Sequence, residues 1–354
     1  MKVTMVGISG SGKTTFMSAL YGTLGGDNHM NNFRIFPAAS NINEDVLEAG
    51  KFKALDFATQ NFKFPDGTQR STLWSFDLRY RDKFVCNYEW IDYRGGILTD
   101  ISSEEIQSDE QKQQEVTELL THIALSNAVI FFVDSFKLTY YQNIKEARYR
   151  SGANIINQVF ESYNRFFPSR PLVFVILLTK ADEVNESWKT NNYEPLIKRG
   201  MEIFEPLISI GKRNNAWEGG IVPVSAVGEG NARITVTDPP NIQTPVLVDS
   251  KIVGFPEPMN AGHALFYCLG EVLSKMQVEA QSNIDKYEQE IVNALQRAGL
   301  TNRLWSLITG QPSYDQVAKD FFEERKKEYL SLRQFEIYVD PIYTTALEKV
   351  KKVC

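Results

Sequence analysis

The feature that most constrains this chain is an eight-residue stretch near its start, GISGSGKT, at residues 7–14. It fits the pattern G-x-x-x-x-G-K-[ST], whose fixed positions hold Gly7, Gly12, Lys13 and Thr14. Residues 3–8 have the apolar character of a short buried strand, and residues 14–21 are predicted to form the helix that follows. A strand, a glycine-rich turn and a helix in this order direct backbone N–H groups toward phosphate oxygens at the helix N-terminus. The sequence therefore predicts a nucleoside triphosphate site.

Individual side chains of this stretch have expected roles. Lys13 is expected to reach the β- and γ-phosphates, and the Thr14 hydroxyl is expected to bind Mg²⁺. The candidate nucleotide-binding residues of the loop and first helical turn are Ser9, Gly10, Ser11, Gly12, Lys13, Thr14 and Thr15. The alternative is a Gly/Ser-rich turn that binds nothing, and it is disfavoured because a chance match in a chain of this length is rare.

Length and composition narrow the class of protein. The 354 residues suffice for one large domain or two ordinary ones, and 43% hydrophobic with 23% charged residues is typical of a soluble globular chain. A net charge of −6 does not favour a nucleic-acid partner. The longest apolar run, PLVFVILL, is too short to span a membrane. Scattered cysteines and a strand starting at residue 2 lead us to expect a cytoplasmic protein without a signal peptide.

Apolar segments alternate with predicted helices along most of the chain. Residues 71–80 and 83–92 flank a short charged link and predict a hairpin. Continuous apolar runs at 127–135, 171–182 and 219–228 predict buried strands. Helices are predicted over 102–125, 145–166 and 189–210. This alternation predicts an α/β fold: a mostly parallel sheet with helices on both faces and ligands at the carboxyl ends of the strands.

Short polar motifs stand at the ends of three predicted strands. Asp92 begins D-Y-R-G-G, Asp182 ends T-K-A-D, and Ser225 and Ala226 close the next strand. With the first motif, the order is G-x-x-x-x-G-K-T, D-x-x-G, [NT]-K-x-D and S-A. This order and placement resemble the P-loop GTPases, in particular the translation-factor and Ras-like class, over roughly residues 1–278. The resemblance implies guanine nucleotide, GTP or GDP, as the bound ligand and Mg²⁺ as the cofactor.

The resemblance implies roles at the phosphate end of such a site. Asp92 would hold Mg²⁺ through water, and the Gly95 N–H would sense the γ-phosphate. The family also has a threonine that closes over the nucleotide and completes the Mg²⁺ coordination. Thr72 and Thr68 both stand near the expected place, with Ser71 a weaker candidate, and we assign the role to Thr72. The alternative for Asp92 is an aspartate that forms a turn at the end of a strand. The alternative for Thr72 is a strand threonine that faces solvent.

At the base end, the resemblance implies a site that reads guanine. The Asp182 carboxylate would accept hydrogen bonds from the guanine N1–H and exocyclic amine. Adenine lacks this donor pair, and leaving a buried carboxylate unpaired is costly. Lys180 would lie across the base, and the Ala226 N–H, next to Ser225, would meet the guanine oxygen. The alternative for Asp182 is a turn former at the end of a strand.

Three segments depart from the family pattern. Residues 21–70 are longer than a Ras-like switch and include a predicted helix near 42–55, so they form either a partner-binding element or a packed insertion. Residues 229–260 are predicted to form a hairpin beside the base-binding side. Beyond a helix that starts near Ala261, a second, polar helix is predicted. We therefore expect a GTPase domain over residues 1–278, with insertions at 21–70 and 229–260, and a C-terminal helical extension at 279–354.

The resemblance also bears on the rate of hydrolysis. Gly96 stands where Ras-like proteins commonly have a glutamine that orients the attacking water, and glycine cannot position water. Ser9 stands where those proteins have a glycine that leaves space for a partner's arginine. The remaining catalytic candidates are Lys13, Thr72 and Gly95. We expect slow GTP hydrolysis, accelerated by a protein partner or a homodimer mate that contacts the switch regions.

Two other functions remain open at this point. A non-hydrolysing, nucleotide-stabilised interaction module would keep every binding motif. A P-loop ATPase or small-molecule kinase would use Asp134, at the end of AVIFFVD, as the carboxylate on the Mg²⁺ side, but it leaves D-x-x-G and T-K-A-D unexplained. Within the GTPases, D-Y-R-G-G, the long switch and the C-terminal helices resemble bacterial double-GTPase proteins of defence and signalling loci.

Overall fold

The computed structural model describes residues 2–25, 30–38, 72–92, 119, 121–123, 125–166, 171–214, 217–237, 247–254, 256–297 and 336–354. Several predictions made above lie outside the described residues. They concern Thr68, Ser71, Gly95, Gly96, the helix near 42–55 and most of the helix at 102–125.

A sheet of eight strands forms the centre of the described chain. The strands are β1 (Lys2–Val6), β2 (Phe33–Pro37), β3 (Thr72–Tyr80), β4 (Lys83–Asp92), β5 (Ala128–Asp134), β6 (Leu172–Thr179), β7 (Trp217–Pro223) and β10 (Lys351–Lys352). Their order is β10-β7-β6-β5-β1-β4-β3-β2. From β4 through β1, β5 and β6 to β7 the pairing is parallel, whereas β3 and β10 are antiparallel to their neighbours. The predicted mostly parallel α/β sheet is confirmed.

Helices cover both faces of this sheet. The described helices are α1 (Lys13–Leu24), α2 (Ser135–Tyr140), α3 (Ile144–Ser151), α4 (Ala153–Phe166), α5 (Glu186–Ile203), α6 (Glu205–Arg213) and α7 (Ala261–Arg297), and residues 336–349 are also helical. α5 is interrupted by the non-helical residues 190–193. Successive side chains of a strand point to opposite faces. On β5, Phe131 contacts Phe160 of α4 at a centroid distance of 4.7 Å, and Phe132 contacts Phe16 of α1 at 5.2 Å. Because both faces are covered, every residue of β5 and β6 is buried.

Both predicted hairpins are present. β3 and β4 pair antiparallel across a two-residue turn at Arg81 and Asp82, whose φ angles of 45° and 66° suit the twist of a tight hairpin. β8 (Ala232–Thr237) pairs antiparallel with β9 (Leu247–Ile252), which places the predicted second hairpin in the segment 229–260.

Two predicted helices are each divided. The helix expected at 145–166 is broken into α3 and α4 by Gly152, which has a left-handed φ of 78°. A Cβ at Gly152 would clash with the Ile8 side chain, so this break lets the helix pair approach the loop after β1. The helix expected at 189–210 is likewise observed as α5 and α6, which meet at Phe204.

The chain divides into two compact units, Met1–Cys268 with Ile342–Cys354, and Leu269–Pro341. Where two helices were predicted from Ala261 onward, α7 is one helix of 37 residues that begins in the first unit and continues into the second. The last residues of the chain return to the sheet, because the Val353 N–H donates to the Gly219 carbonyl at 2.8 Å. Among the described helices, none is both long and apolar enough to cross a membrane.

Candidate functional site

The loop between β1 and α1, residues 7–12, is called the phosphate loop here. Gly12 has φ 89° and serves as the N-cap of α1, a conformation that favours glycine. At Gly7 a Cβ would lie 2.6 Å from the Ser11 hydroxyl oxygen and 2.8 Å from the Phe132 carbonyl oxygen. The two positions therefore require glycine for different reasons. Gly12 has a left-handed backbone, and Gly7 lies too close to β5 for a side chain.

The start of α1 is arranged to receive an anion. Gly12 supplies no side-chain cap to the first N–H groups of the helix, and no acidic residue occupies the first turn. The Ser11 hydroxyl is buried without a hydrogen-bond partner in the described chain. Unpaired donors at a helix N-terminus are a ready site for phosphate. Ser9 and Gly10 are exposed, and Thr14 and Thr15 are partly exposed at the same end of the helix.

Lys13 is held over this loop. Its side chain is buried, and its Nζ donates to the Gly7 carbonyl at 2.9 Å and, more weakly, to the Ile8 carbonyl at 3.4 Å. An ammonium group in a largely desolvated site interacts strongly with an anion that enters it. The residues present thus fit a phosphate group, with Lys13 as the cation.

Thr179, at the end of β6, ties the phosphate loop to the base motif T-K-A-D. Its hydroxyl lies 2.7 Å from the Ser11 carbonyl and 3.1 Å from the Val133 carbonyl, and Ser11 is 168 positions away along the chain. The motif was predicted from the sequence, but no role was expected for this threonine. It is a residue that sequence reasoning missed, because nothing in the local pattern shows which carbonyl it meets.

Lys180 follows in a left-handed conformation, with φ 56°. Its Nζ lies 2.8 Å from the Asp134 carboxylate, and the other carboxylate oxygen accepts from the Lys137 N–H at 3.2 Å, which caps α2. Burial acts to lower the pKa of Lys180, but the nearby carboxylates of Asp134 and Glu183 outweigh it and raise the pKa above its usual value. Lys180 is therefore a fixed cation beside the loop, and Asp134 is the residue that fixes it.

Asp182 lies next to Ser225. Burial raises the pKa of Asp182, and a hydrogen bond from the Ser225 hydroxyl opposes that shift. The Ser225 oxygen itself accepts from the Gly228 N–H at 2.7 Å and the Val227 N–H at 3.2 Å. Residues 225–230, called the base loop here, are therefore folded around one hydroxyl that is bonded to Asp182. Ala226 lies in this loop, partly exposed.

The Glu183 carboxylate was not anticipated. It is 9% exposed, and its Oε2 has no hydrogen-bond partner in the described chain. Burial raises the pKa of Glu183 to about 7, with Lys180 opposing the shift and Asp134 adding to it, while Ser250 of β9 donates a hydrogen bond. This contact joins the base motif to the second hairpin.

Thr72 and Asp92 are placed by the sheet. They face each other in the register of β3 and β4, and Asp92 also pairs with Met5 of β1. Because β1 leads directly into the phosphate loop, both backbone positions lie beside that loop, at the carboxyl edge of the parallel strands. Gly95, the third residue proposed for this end, lies outside the described residues.

The described side chains include no cluster of three or more metal-ligating residues. The Mg²⁺ site implied by the motifs would instead combine Thr14 with the position of Asp92, using the phosphate oxygens of the nucleotide as further ligands. Mg²⁺ is ordinarily bound in this way, through one or two protein groups plus substrate phosphates. Thr14 and Asp92 are thus the residues that would hold the ion.

No protein-family profile matches the chain, and no curated protein matches it. Among solved structures, the chain is similar to one in the signal recognition particle receptor SRb-GTP/SRX complex from Chaetomium thermophilum. The two share 15% sequence identity, the match covers 65% of this chain and 95% of the other, and the TM-score is 0.29. The function is therefore inferred from the geometry of the chain itself.

Proposed function

We propose that this protein binds a guanine nucleoside triphosphate with Mg²⁺ and hydrolyses it slowly as a nucleotide-dependent switch. One observation carries the proposal: hydrogen bonds link the motifs to loops that are distant along the chain. Thr179 bonds to Ser11 of the phosphate loop, and Asp182 bonds to Ser225 of the base loop. A site that links a phosphate-binding loop to a buried carboxylate suits a ligand with a phosphate tail and a base.

At the phosphate end, Lys13 would exchange its loop carbonyls for the β- and γ-phosphates. The Gly7 and Ile8 carbonyls that it now contacts are neutral acceptors, and a phosphate oxygen is a charged one. An ammonium gains a Coulomb attraction to a charged phosphate oxygen that a neutral carbonyl does not provide, so the exchange favours the nucleotide. Thr14 and Asp92 would hold Mg²⁺, Thr72 would complete its coordination, and Gly95 would contact the γ-phosphate. When bound, the ion would neutralise charge that develops on the phosphates.

At the base end, Asp182 would accept two hydrogen bonds from guanine, and Ala226 would donate its N–H to the guanine oxygen. Guanine donors favour the ionised carboxylate and so counter the effect of burial on its pKa. Lys180, held by Asp134, would supply an apolar stem across the base. Adenine presents an acceptor where guanine presents N1–H, so it would leave Asp182 unpaired.

The kinase or ATPase alternative assigned Asp134 to the Mg²⁺ side. That carboxylate is 3% exposed and already engaged by Lys180 and by the α2 backbone. Freeing it would leave the half-buried Lys180 ammonium without its nearest counter-charge, which is unfavourable. The geometry therefore favours the guanine reading over the adenine one.

Hydrolysis is proposed to be slow because Gly96 cannot orient water, with acceleration by a protein partner or a second copy that contacts residues 21–70. A non-hydrolysing interaction module is the second candidate, because it needs the same binding residues. The likeness to bacterial double-GTPase proteins belongs to the same proposal and does not identify the partner.

The test is calorimetric titration with GTP and with ATP, each with Mg²⁺. GTP should bind tightly and ATP weakly. Asp182→Asn should lower GTP affinity roughly 10- to 100-fold, since it removes a charge-assisted acceptor, and should improve binding of xanthosine triphosphate. Glu194→Gln, at a residue paired with Lys198 on the exposed side of α5, is the matched control and should change neither affinity. Equal binding of ATP and GTP by the wild type would refute the base assignment.

A further inference from the structure

A group of three side chains outside the recognised motifs joins α5 to the base loop. Lys189 Nζ lies 2.8 Å from the Glu229 Oε2, and the Tyr193 hydroxyl donates to the Glu229 Oε1. Both oxygens of one carboxylate are therefore taken, one by Lys189 before the non-helical residues 190–193 of α5 and one by Tyr193 within them. Lys189, Tyr193 and Glu229 are called the Glu229 clamp here.

An ordinary exposed ion pair contributes little, and its two side chains are free to move. The Lys189 side chain is only 14% exposed and also lies 3.1 Å from Glu186. Burial acts to lower the pKa of Lys189, but its hydrogen bonds to Glu229 and Glu186 outweigh that effect. The lysine is thus held between two carboxylates rather than solvated.

The backbone beneath the clamp is strained. Residues 190–193 are non-helical and divide α5 into two helical parts, and within them Asn191, Asn192 and Tyr193 have left-handed φ angles of 51°, 56° and 66°. Asparagine tolerates this conformation, but tyrosine adopts it rarely. Such strain persists where the surroundings stabilise it, and it is common beside ligand sites. Here the bond from Tyr193 to Glu229 is one such stabilising contact.

Glu229 lies directly after Gly228, whose N–H donates to Ser225 and whose φ is 84°. The other end of the base loop is held by paired backbone bonds between Ser225 and Met259, of 3.2 and 2.8 Å. Near Gly228 the loop is also bonded through its backbone, since the Glu257 N–H donates to the Val227 carbonyl at 2.8 Å. The clamp adds a contact from α5 to this end of the loop. Its charges also reach the base-reading carboxylate, since Glu229 raises and Lys189 lowers the pKa of Asp182.

We propose that Lys189, Tyr193 and Glu229 are positioning residues that hold the base loop in the conformation that reads guanine, and so set how long the nucleotide stays bound. This inference rests on the proposed function. The clamp would act through Ala226 and Asp182 and would not touch the phosphates. Loosening it should weaken recognition of the base and leave recognition of the phosphate chain intact.

The experiment measures dissociation of a fluorescent methylanthraniloyl-GDP, chased with excess GDP, from the full-length protein. Glu229→Gln and Tyr193→Phe should each speed dissociation on the order of 10-fold, the effect of losing one hydrogen bond to a charged group. Each should also reduce the ratio of GTP to ATP affinity. The swapped pair Lys189→Glu with Glu229→Lys should restore much of the slow dissociation, and Glu194→Gln should leave it unchanged.

Competition by inorganic tripolyphosphate separates positioning of the base loop from general damage. Its affinity should be the same in the wild type and in Glu229→Gln. The proposal would be overturned by a clamp variant whose affinities for tripolyphosphate and GDP fall by the same factor. It would also be overturned by a clamp variant that releases GDP at the wild-type rate. If Glu229→Gln does not fold, the same measurements on Tyr193→Phe test the proposal. A wild type without guanine preference would refute the proposed function instead, and the clamp with it.

Discussion

Replacing Glu183 by glutamine should make the protein more stable than the wild type at about pH 8 and leave its stability almost unchanged near pH 4.5. In the folded chain this carboxyl is 9% exposed with one oxygen unpaired, and burial raises its pKa from 4.5 to about 7. The native state thus holds the proton over a pH range in which the unfolded state has released it. Stability should therefore fall as the pH rises from about 4.5 to about 7 and level off above that.

The size of the effect follows from the pKa shift. A shift of this size, at about 1.4 kcal/mol per pKa unit, corresponds to roughly 3 kcal/mol at most. Glutamine keeps an oxygen for the bond from Ser250 and carries no charge to bury. Above pH 7 the free energy of unfolding should therefore be larger for Glu183→Gln than for the wild type by up to about 3 kcal/mol.

The assay is urea unfolding of both proteins at several pH values between about 4.5 and 8. Subtracting the wild-type free energy of unfolding from that of the variant at each pH removes the contribution of every other titrating group. Glu194→Gln, at an exposed residue of α5, serves as the control and should give a difference that does not vary with pH. A constant difference for Glu183→Gln would refute the reasoning, since it would mean that the Glu183 carboxylate ionises in the folded chain without cost.

Two further predictions concern the phosphate end of the site. Lys13→Ala should reduce GTP and tripolyphosphate affinity at least about 10-fold, because a charged hydrogen bond contributes roughly 1.5–3 kcal/mol. The melting temperature of the ligand-free protein should stay close to that of the wild type, since the Lys13 ammonium donates to the loop carbonyls of Gly7 and Ile8. Unchanged affinity and unchanged turnover would contradict the phosphate-loop assignment. Single-turnover hydrolysis by the dilute protein should be slow, roughly 10⁻⁴ to 10⁻³ s⁻¹ as in unassisted Ras. Turnover within seconds, independent of protein concentration, would reveal a catalytic group in this chain.

Much of the fold was predictable from local pattern. The continuous apolar runs of β5 and β6 predict parallel strands covered on both faces. The short polar link between β3 and β4 predicts a hairpin. The division of the helix at Gly152 was missed, because a glycine inside a helical pattern does not by itself show what lies opposite. Only the packed structure shows that Ile8 lies there.

The sequence by itself determined the chemistry of the site, since the phosphate loop is a local structure. Its glycines, Lys13 and Thr14 lie within eight residues, and their backbone angles and spacing decide where the N–H groups point. Only the tertiary structure decided which distant groups support that loop. The bond from Thr179 to Ser11 and the clamp from Lys189 to Glu229 join residues 168 and 40 positions apart. Such pairs are set by strand order and helix packing, which short-range periodicity does not encode.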